Sequence, residues 1–129
     1  MTVIPFSGQY AVWLGYDQDS RKSARLGQRV TLPNIRPLYL NFALWLHSEE
    51  SCDVPYYDAL TVYINGTVAA KNDSVCRGTV ADQWQKVSVD ITLLAGTVAT
   101  FVFEISSVDS LASVALLDDI ALSERAWGQ

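Results

Sequence analysis

The sequence predicts an all-β fold, a two-sheet antiparallel β-sandwich. Three observations carry that expectation. Apolar and polar residues alternate with period two in segment after segment, a pattern that a strand sorts onto opposite faces. No stretch sustains a helical period. Turn-forming residues punctuate the chain between the alternating segments, as in domains built from many short strands. With 129 residues, half of them hydrophobic, the chain has one domain's length and enough of it to bury a single core.

The first alternating segment is Gln9 to Gly15, followed by the turn residues Asp17 to Ser20. Arg25 to Leu32 is the second, closed by Pro33-Asn34. Leu38 to His47 shows the pattern best: Leu38, Leu40, Phe42, Leu44 and Leu46 share one parity, and Tyr39, Asn41, Ala43, Trp45 and His47 the other. The first set reads as core and the second as outer face. Leu60 to Ile64 runs into Asn65-Gly66, the strongest hairpin signal in the chain, because a type I′ turn needs positive φ at both central residues. Gln83 to Ile91, Thr97 to Ser107 and Val114 to Leu122 complete the set, with Ala95-Gly96 and Ser107 to Ser110 as turns. In the last strand Val114, Leu116, Ile120 and Leu122 read as the core parity, which puts Asp118 on their side. Ser51 to Asp58 and Ser107 to Ala112 hold at most a helical turn. Residues 1–129 therefore form one domain, with 124–129 read as a tail leaving it.

The formal charge of −5 argues against a nucleic-acid partner, because phosphate binding draws on clustered Lys and Arg. No apolar run is long enough to span a bilayer as a helix, so membrane insertion is not expected. Met1 to Gly8 shows neither the basic nor the apolar region of a secretory leader. Cys52 and Cys76 both sit in polar, turn-rich stretches, unlike a lone structural cysteine among apolar neighbours. They read as a disulfide, and a disulfide implies an oxidising compartment, outside the cell or on its surface.

Several ordered motifs resemble one family. Ser7-Gly8 with Tyr10-Ala11-Val12-Trp13-Leu14-Gly15, then Leu26-Gly27-Gln28-Arg29-Val30-Thr31-Leu32-Pro33, is similar to the opening of a β-sandwich module of bacterial extracellular proteins. Tyr57-Asp58-Ala59-Leu60-Thr61-Val62-Tyr63-Ile64-Asn65-Gly66 resembles its hairpin. Trp84 to Ile91 with Leu94 to Thr97, and Leu116-Leu117-Asp118-Asp119-Ile120-Ala121-Leu122, resemble its later strands. The likeness is to MAM-like and galactose-binding-like jelly rolls, and it covers nearly the whole chain. It implies a jelly-roll sandwich, a non-catalytic role, and tryptophans at positions 13 and 84 that close the core. Family members carry a further N-terminal strand, whereas only Met1 to Phe6 precedes the first motif here. The roll is then either short of that strand or completed by another one.

Catalysis finds little support in the residues. His47 is the single histidine, and no GxSxG context surrounds a serine that it could serve. Phosphate-binding glycine motifs are missing. Asp17-Gln18-Asp19-Ser20 starts like an EF-hand loop but lacks its glycine and reads as a solvated turn. If Asp118 shares the core side, its carboxylate must be paired, hydrogen-bonded or bound to a cation. The resemblance makes Asp118 or Asp119 a candidate ligand of a structural calcium, with Asp17 or Asp19 as looser partners. The competing reading has Asp118 accepting backbone N–H bonds or pairing with Arg25 or Arg29.

Aromatic residues give the best pointer to binding. Sugar rings present apolar faces that stack on Trp and Tyr, while their hydroxyls bond to polar side chains. Tyr39, Asn41, Trp45 and His47 form such a row opposite the core face and are the candidate ligand-binding residues. The expected function is an extracellular binding or accessory module whose partner is a carbohydrate or a cell-surface protein. The alternative is a structural subunit that self-associates by strand exchange, with Thr2 to Phe6 as donor. A hydrolase ranks last.

Overall fold

A computed structural model of the chain describes residues 7–8, 11–15, 23–49, 52–53, 58–77, 82–106 and 113–127. Eight strands appear in the order β1 (Val12–Gly15), β2 (Ser23–Thr31), β3 (Tyr39–Ser48), β4 (Asp58–Ile64), β5 (Thr67–Val75), β6 (Gln85–Asp90), β7 (Val98–Ser106) and β8 (Ser113–Ser123), with one 3-10 turn at Thr92–Leu94. One sheet, here sheet A, has the order β1-β8-β3-β6, and the other, sheet B, has the order β2-β7-β4-β5. All pairings are antiparallel. Successive strands cross between the sheets except at the β4–β5 hairpin, which is the eight-stranded jelly roll.

The core follows from strand parity. Leu38, Leu40, Phe42, Leu44 and Leu46 are all buried, as their alternation requires. They meet Leu60, Val62 and Ile64 from β4 and Phe101, Phe103 and Ile105 from β7. Phe42 packs edge-on against Phe103 with ring centres 5.1 Å apart, the T-shaped contact favoured by the aromatic quadrupole. Asn65 and Gly66 have φ of 52° and 81°, so the hairpin turn is the one that the Asn-Gly pair demands. Asn65 is also tied to β7: its N–H donates to the Thr100 carbonyl at 2.9 Å, and its side-chain oxygen accepts from the Thr100 N–H at 3.0 Å.

Three sequence expectations need correction. The strand Thr67–Val75 has no counterpart among the alternating segments, because it is a polar edge strand that packs one side only against β4. In β8 the core parity is reversed: Ala115 and Leu117 join the core cluster, whereas Val114 and Leu116 pair opposite His47 and Trp45 on the outer side. A bulge then resets the alternation. Ala43 pairs with Asp118 but Asn41 with Ala121, so Asp119 and Ile120 together oppose Phe42, and Asp119 takes a φ of 49°. Asp118 therefore lies on the outer side rather than the core side. Finally, the described residues alone supply eight strands, and among them β1 is the short one, pairing with Val114 to Leu117 while the rest of β8 pairs with β3; residues 1–6, where a further strand would fall, lie outside the described residues.

The two sheets are tied at one end. Cys52, following β3, is bonded to Cys76, following β5, across 24 residues of sequence. Beside this tie Asp58, fully buried, accepts a 2.5 Å hydrogen bond from the Ser113 hydroxyl, which lies 2.7 Å from the Ser48 hydroxyl. That cluster joins β4 of sheet B to β3 and β8 of sheet A. Gly15 passes close by: a side chain there would place its Cβ 2.5 Å from the Ser113 carbonyl oxygen, at a φ of 104°, so both space and backbone require glycine.

Candidate functional site

The chain's four tryptophans lie on one surface, the outer face of sheet A. Register shows it. Trp13 pairs with Leu116, and Leu116 with Trp45; Leu44 and Leu46 point into the core, so Trp45 and its partners point away from it. Trp84 meets Trp45 from β6 with ring centres 5.8 Å apart and planes inclined at 73°. Trp13, Leu116, Trp45 and Trp84 thus form one row across four strands, about 14 Å long at the usual strand spacing. Trp13 is 40% exposed, and neither it nor Trp84 belongs to the core cluster. The expectation that these two tryptophans close the core is corrected accordingly.

Trp127 completes the set from the end of the described chain. The segment after β8 does not leave the domain, as its tail-like composition suggests, but folds back over sheet A. The Trp127 N–H donates to the Ser88 hydroxyl at 2.6 Å and the Asn41 side-chain amide donates to the Arg125 carbonyl at 2.9 Å. Ser88 in turn donates to the Asn41 side-chain oxygen at 2.7 Å. Lys86 holds its ammonium 5.4 Å from the centre of the Trp127 ring, a contact worth about 0.5–1 kcal/mol at an exposed site.

This geometry sorts the four candidate ligand-binding residues. Asn41 is 7% exposed, and its amide is taken up by the C-terminal segment and Ser88, so it acts as an anchor behind the surface. His47 sits between two carboxylates, with Nδ1 3.1 Å from Asp82 and Nε2 2.7 Å from Glu49. Burial of the ring works against its charge, but those hydrogen bonds outweigh it and raise the pKa above 6.5. Trp45 is half-buried beneath Trp84, and its indole N–H finds no acceptor among the described residues. Tyr39 is half-buried two residues before Asn41 on the same face.

Asp118 and Asp119 stand at the bulge. Asp118 accepts the backbone N–H groups of Ser7 at 3.1 Å and of Asp119 at 2.7 Å, and Asp119 accepts the Ser7 hydroxyl at 2.5 Å. Arg25 pairs instead with Glu104 on the far side of the sandwich. A calcium takes about six to eight oxygen ligands, and among the described residues no three metal-binding side chains gather. Asp17 and Asp19 lie outside the described residues. Asp118 thus makes the backbone N–H hydrogen bonds of the competing reading.

Two open depressions flank the bulge. One, of about 420 Å³, lies over sheet A and is lined by Asn41, Asp119, Ile120, Ala121 and Trp127. The other, of about 320 Å³, is apolar and opens between β2 and the C-terminal half of β8, with Leu26, Val30, Leu40, Phe103 and Leu122 among its walls.

Sequence reasoning left out Trp127, which the folded-back C-terminal segment brings against Lys86 of β6; alternation gives no signal for that segment.

No protein-family model and no curated protein matches the chain. Among solved structures the fold is similar to that of TmCBM61, described in complex with beta-1,4-galactotriose; the two share 20% identity, with 93% of this chain and 74% of that chain covered at a TM-score of 0.55. The likeness shows the fold, a β-sandwich of the kind that this carbohydrate-binding module adopts.

Proposed function

We propose that the chain is a non-catalytic carbohydrate-binding module of an extracellular or cell-surface protein. The observation that carries it is the gathering of all four tryptophans on the outer face of sheet A, none of them in the core. Leaving indole surface in water forgoes the gain of burying it, which a stability argument does not explain, whereas a row of indoles matches the apolar faces of pyranose rings. Polar groups surround the row: Asp118 and Asp119 at one side, His47 with Glu49 and Asp82 at another, and Lys86 between. Tyr39, Trp45 and His47 border the surface, and Asn41 holds its C-terminal part in place. The likeness to a module seen with a galactotriose makes galactans the first glycans to try. The disulfide supports an oxidising location. A glycan array probed with the wild type and with a Trp13→Ala/Trp84→Ala variant tests the reading: it predicts binding that the double variant weakens, and an array without any wild-type signal contradicts it.

A second reading rests on the apolar groove between β2 and β8. Among the described residues β2 is an edge strand and Asp118 to Ser123 pairs with β3 alone, so the groove offers backbone edges to an added strand. In this reading the occupant is an extended segment from a second copy, residues 2–6, which precede Ser7 and its bonds to Asp118 and Asp119. Those residues lie outside the described ones. Light scattering on the protein with and without residues 1–6 tests it: concentration-dependent dimers that vanish on truncation support assembly, and monomers in both cases contradict it.

A further inference from the structure

Resting on the carbohydrate-binding reading, we propose that the cleft beside Trp127 and Asp119 is the subsite that takes one neutral sugar ring, with the indole against the ring's apolar face and the Asp119 carboxylate accepting its hydroxyls. Four observations meet there. The cleft is an open space of about 420 Å³, large enough for a single pyranose. Its aromatic wall is held before any ligand arrives, because the Trp127 backbone is bonded to the buried Asn41 and the half-buried Ser88 and Lys86 lies against the ring. Such preorganisation removes ordering costs from binding. Its acidic wall is likewise fixed. The bulge gives Asp119 a left-handed backbone, and the Ser7 hydroxyl occupies Oδ1, while Oδ2 has no donor among the described residues. A carboxylate oxygen of this kind accepts the hydroxyls of a neutral sugar with charge-assisted strength.

The charge of the wall sets the ligand class. Asp119 lines the cleft with Asp118 beside it, against the one ammonium of Lys86 on the Trp127 ring, and the net charge of the chain is −5, so an acidic sugar meets a net repulsion that a neutral one does not. Trp13 and Trp84, at the other end of the row, then serve as further contacts for a longer chain rather than as the primary site.

The four indole N–H resonances of the protein report the site directly. Titrations with trisaccharides of galactose, glucose and mannose are followed by two-dimensional NMR of ¹⁵N-labelled protein, with the Trp127 resonance assigned from Trp127→Phe. The expected result is a saturable shift of the Trp127 resonance with at least one of them. Asp119→Asn, which keeps a residue that tolerates the left-handed backbone, is expected to weaken binding about tenfold, the loss of one charge-assisted hydrogen bond. Trp127→Ala keeps the backbone N–H that anchors the segment and is expected to weaken it by at least as much. If a sugar shifts the Trp13 or Trp84 resonance and leaves Trp127 still, or if Asp119→Asn binds like the wild type, the subsite is wrong and the carbohydrate reading stands. If none of the trisaccharides moves any indole and the wild type binds nothing on the glycan array, the underlying reading falls with it.

Discussion

The outer faces of the two sheets are built by the same alternation and used in opposite ways. On sheet B the outward residues are Arg25, Glu104, Thr61 and Lys71 in one row and Gly27, Val102 and Tyr63 in the next. Arg25 bonds to Glu104 and lies 5.8 Å from the Tyr63 ring, whose hydroxyl donates to Glu104 at 3.3 Å. These groups satisfy one another, and the face is an ordinary solvated one. On sheet A the outward side carries every tryptophan, and beneath them Ala43, Val114 and Leu116 are as buried as core residues. The difference shows that period-two alternation decides which residues reach the core but leaves the other face's chemistry open, so the other face is where function can be read.

Breaking the tie between the faces has the largest expected effect. Replacing Cys52 and Cys76 with serine removes the bridge that closes 24 residues of sequence and should lower stability by about 3 kcal/mol, read from denaturant unfolding. Next in size is Asn41→Ala, which strips the anchor from the C-terminal segment and takes from Ser88 the shorter of its two hydrogen bonds to an acceptor. A loss of about 2 kcal/mol is expected, with faster hydrogen exchange at the Trp127 amide and no change in exchange across β2 and β7. The mirror experiment on sheet B, Arg25→Ala, should cost clearly less than Asn41→Ala because the arginine is exposed and its ion pair is screened by solvent, and it should leave glycan binding unchanged. A stability loss as large as that of Asn41→Ala would erase the contrast between the faces.

The smallest effect concerns His47. Its folded pKa is raised by Glu49 and Asp82, so its contribution is fully present below about pH 6.5 and is lost as pH rises through the raised value. Its partners are exposed, so the contribution stays under about 1 kcal/mol. The melting temperature of the wild type should exceed that of His47→Gln in mildly acidic buffer, and the gap should close in alkaline buffer. A gap that widened with pH would reverse the assignment.

Much of the fold is legible in the sequence, for a physical reason. Leu38 to Leu46 declare a strand because one face must be buried, and Asn65-Gly66 declares a hairpin because few other pairs adopt its backbone. The polar strand Thr67–Val75 is silent, since an edge position rewards backbone pairing without demanding apolar side chains. The β8 bulge is silent too: the string Leu116 to Leu122 alternates equally well in either parity, and the extra residue at Asp119 decides between them. Asp58 looks like a loop carboxylate beside Cys52, yet it is buried by partners from β8 and β3 that are distant in sequence. The site follows the same division. Trp45 and His47 can be picked out from one strand, whereas Trp13, Trp84 and Trp127 join them through pairings between strands and through a terminal segment held by Asn41 and Ser88.

Because all four tryptophans share the surface assigned to the ligand, their fluorescence tests the central claim most directly. Titrating soluble oligosaccharides into the protein should produce a saturable change in tryptophan emission, undiminished in Arg25→Ala and reduced in Trp127→Ala. Emission that stays constant while a glycan demonstrably binds would place the ligand away from sheet A and contradict the account.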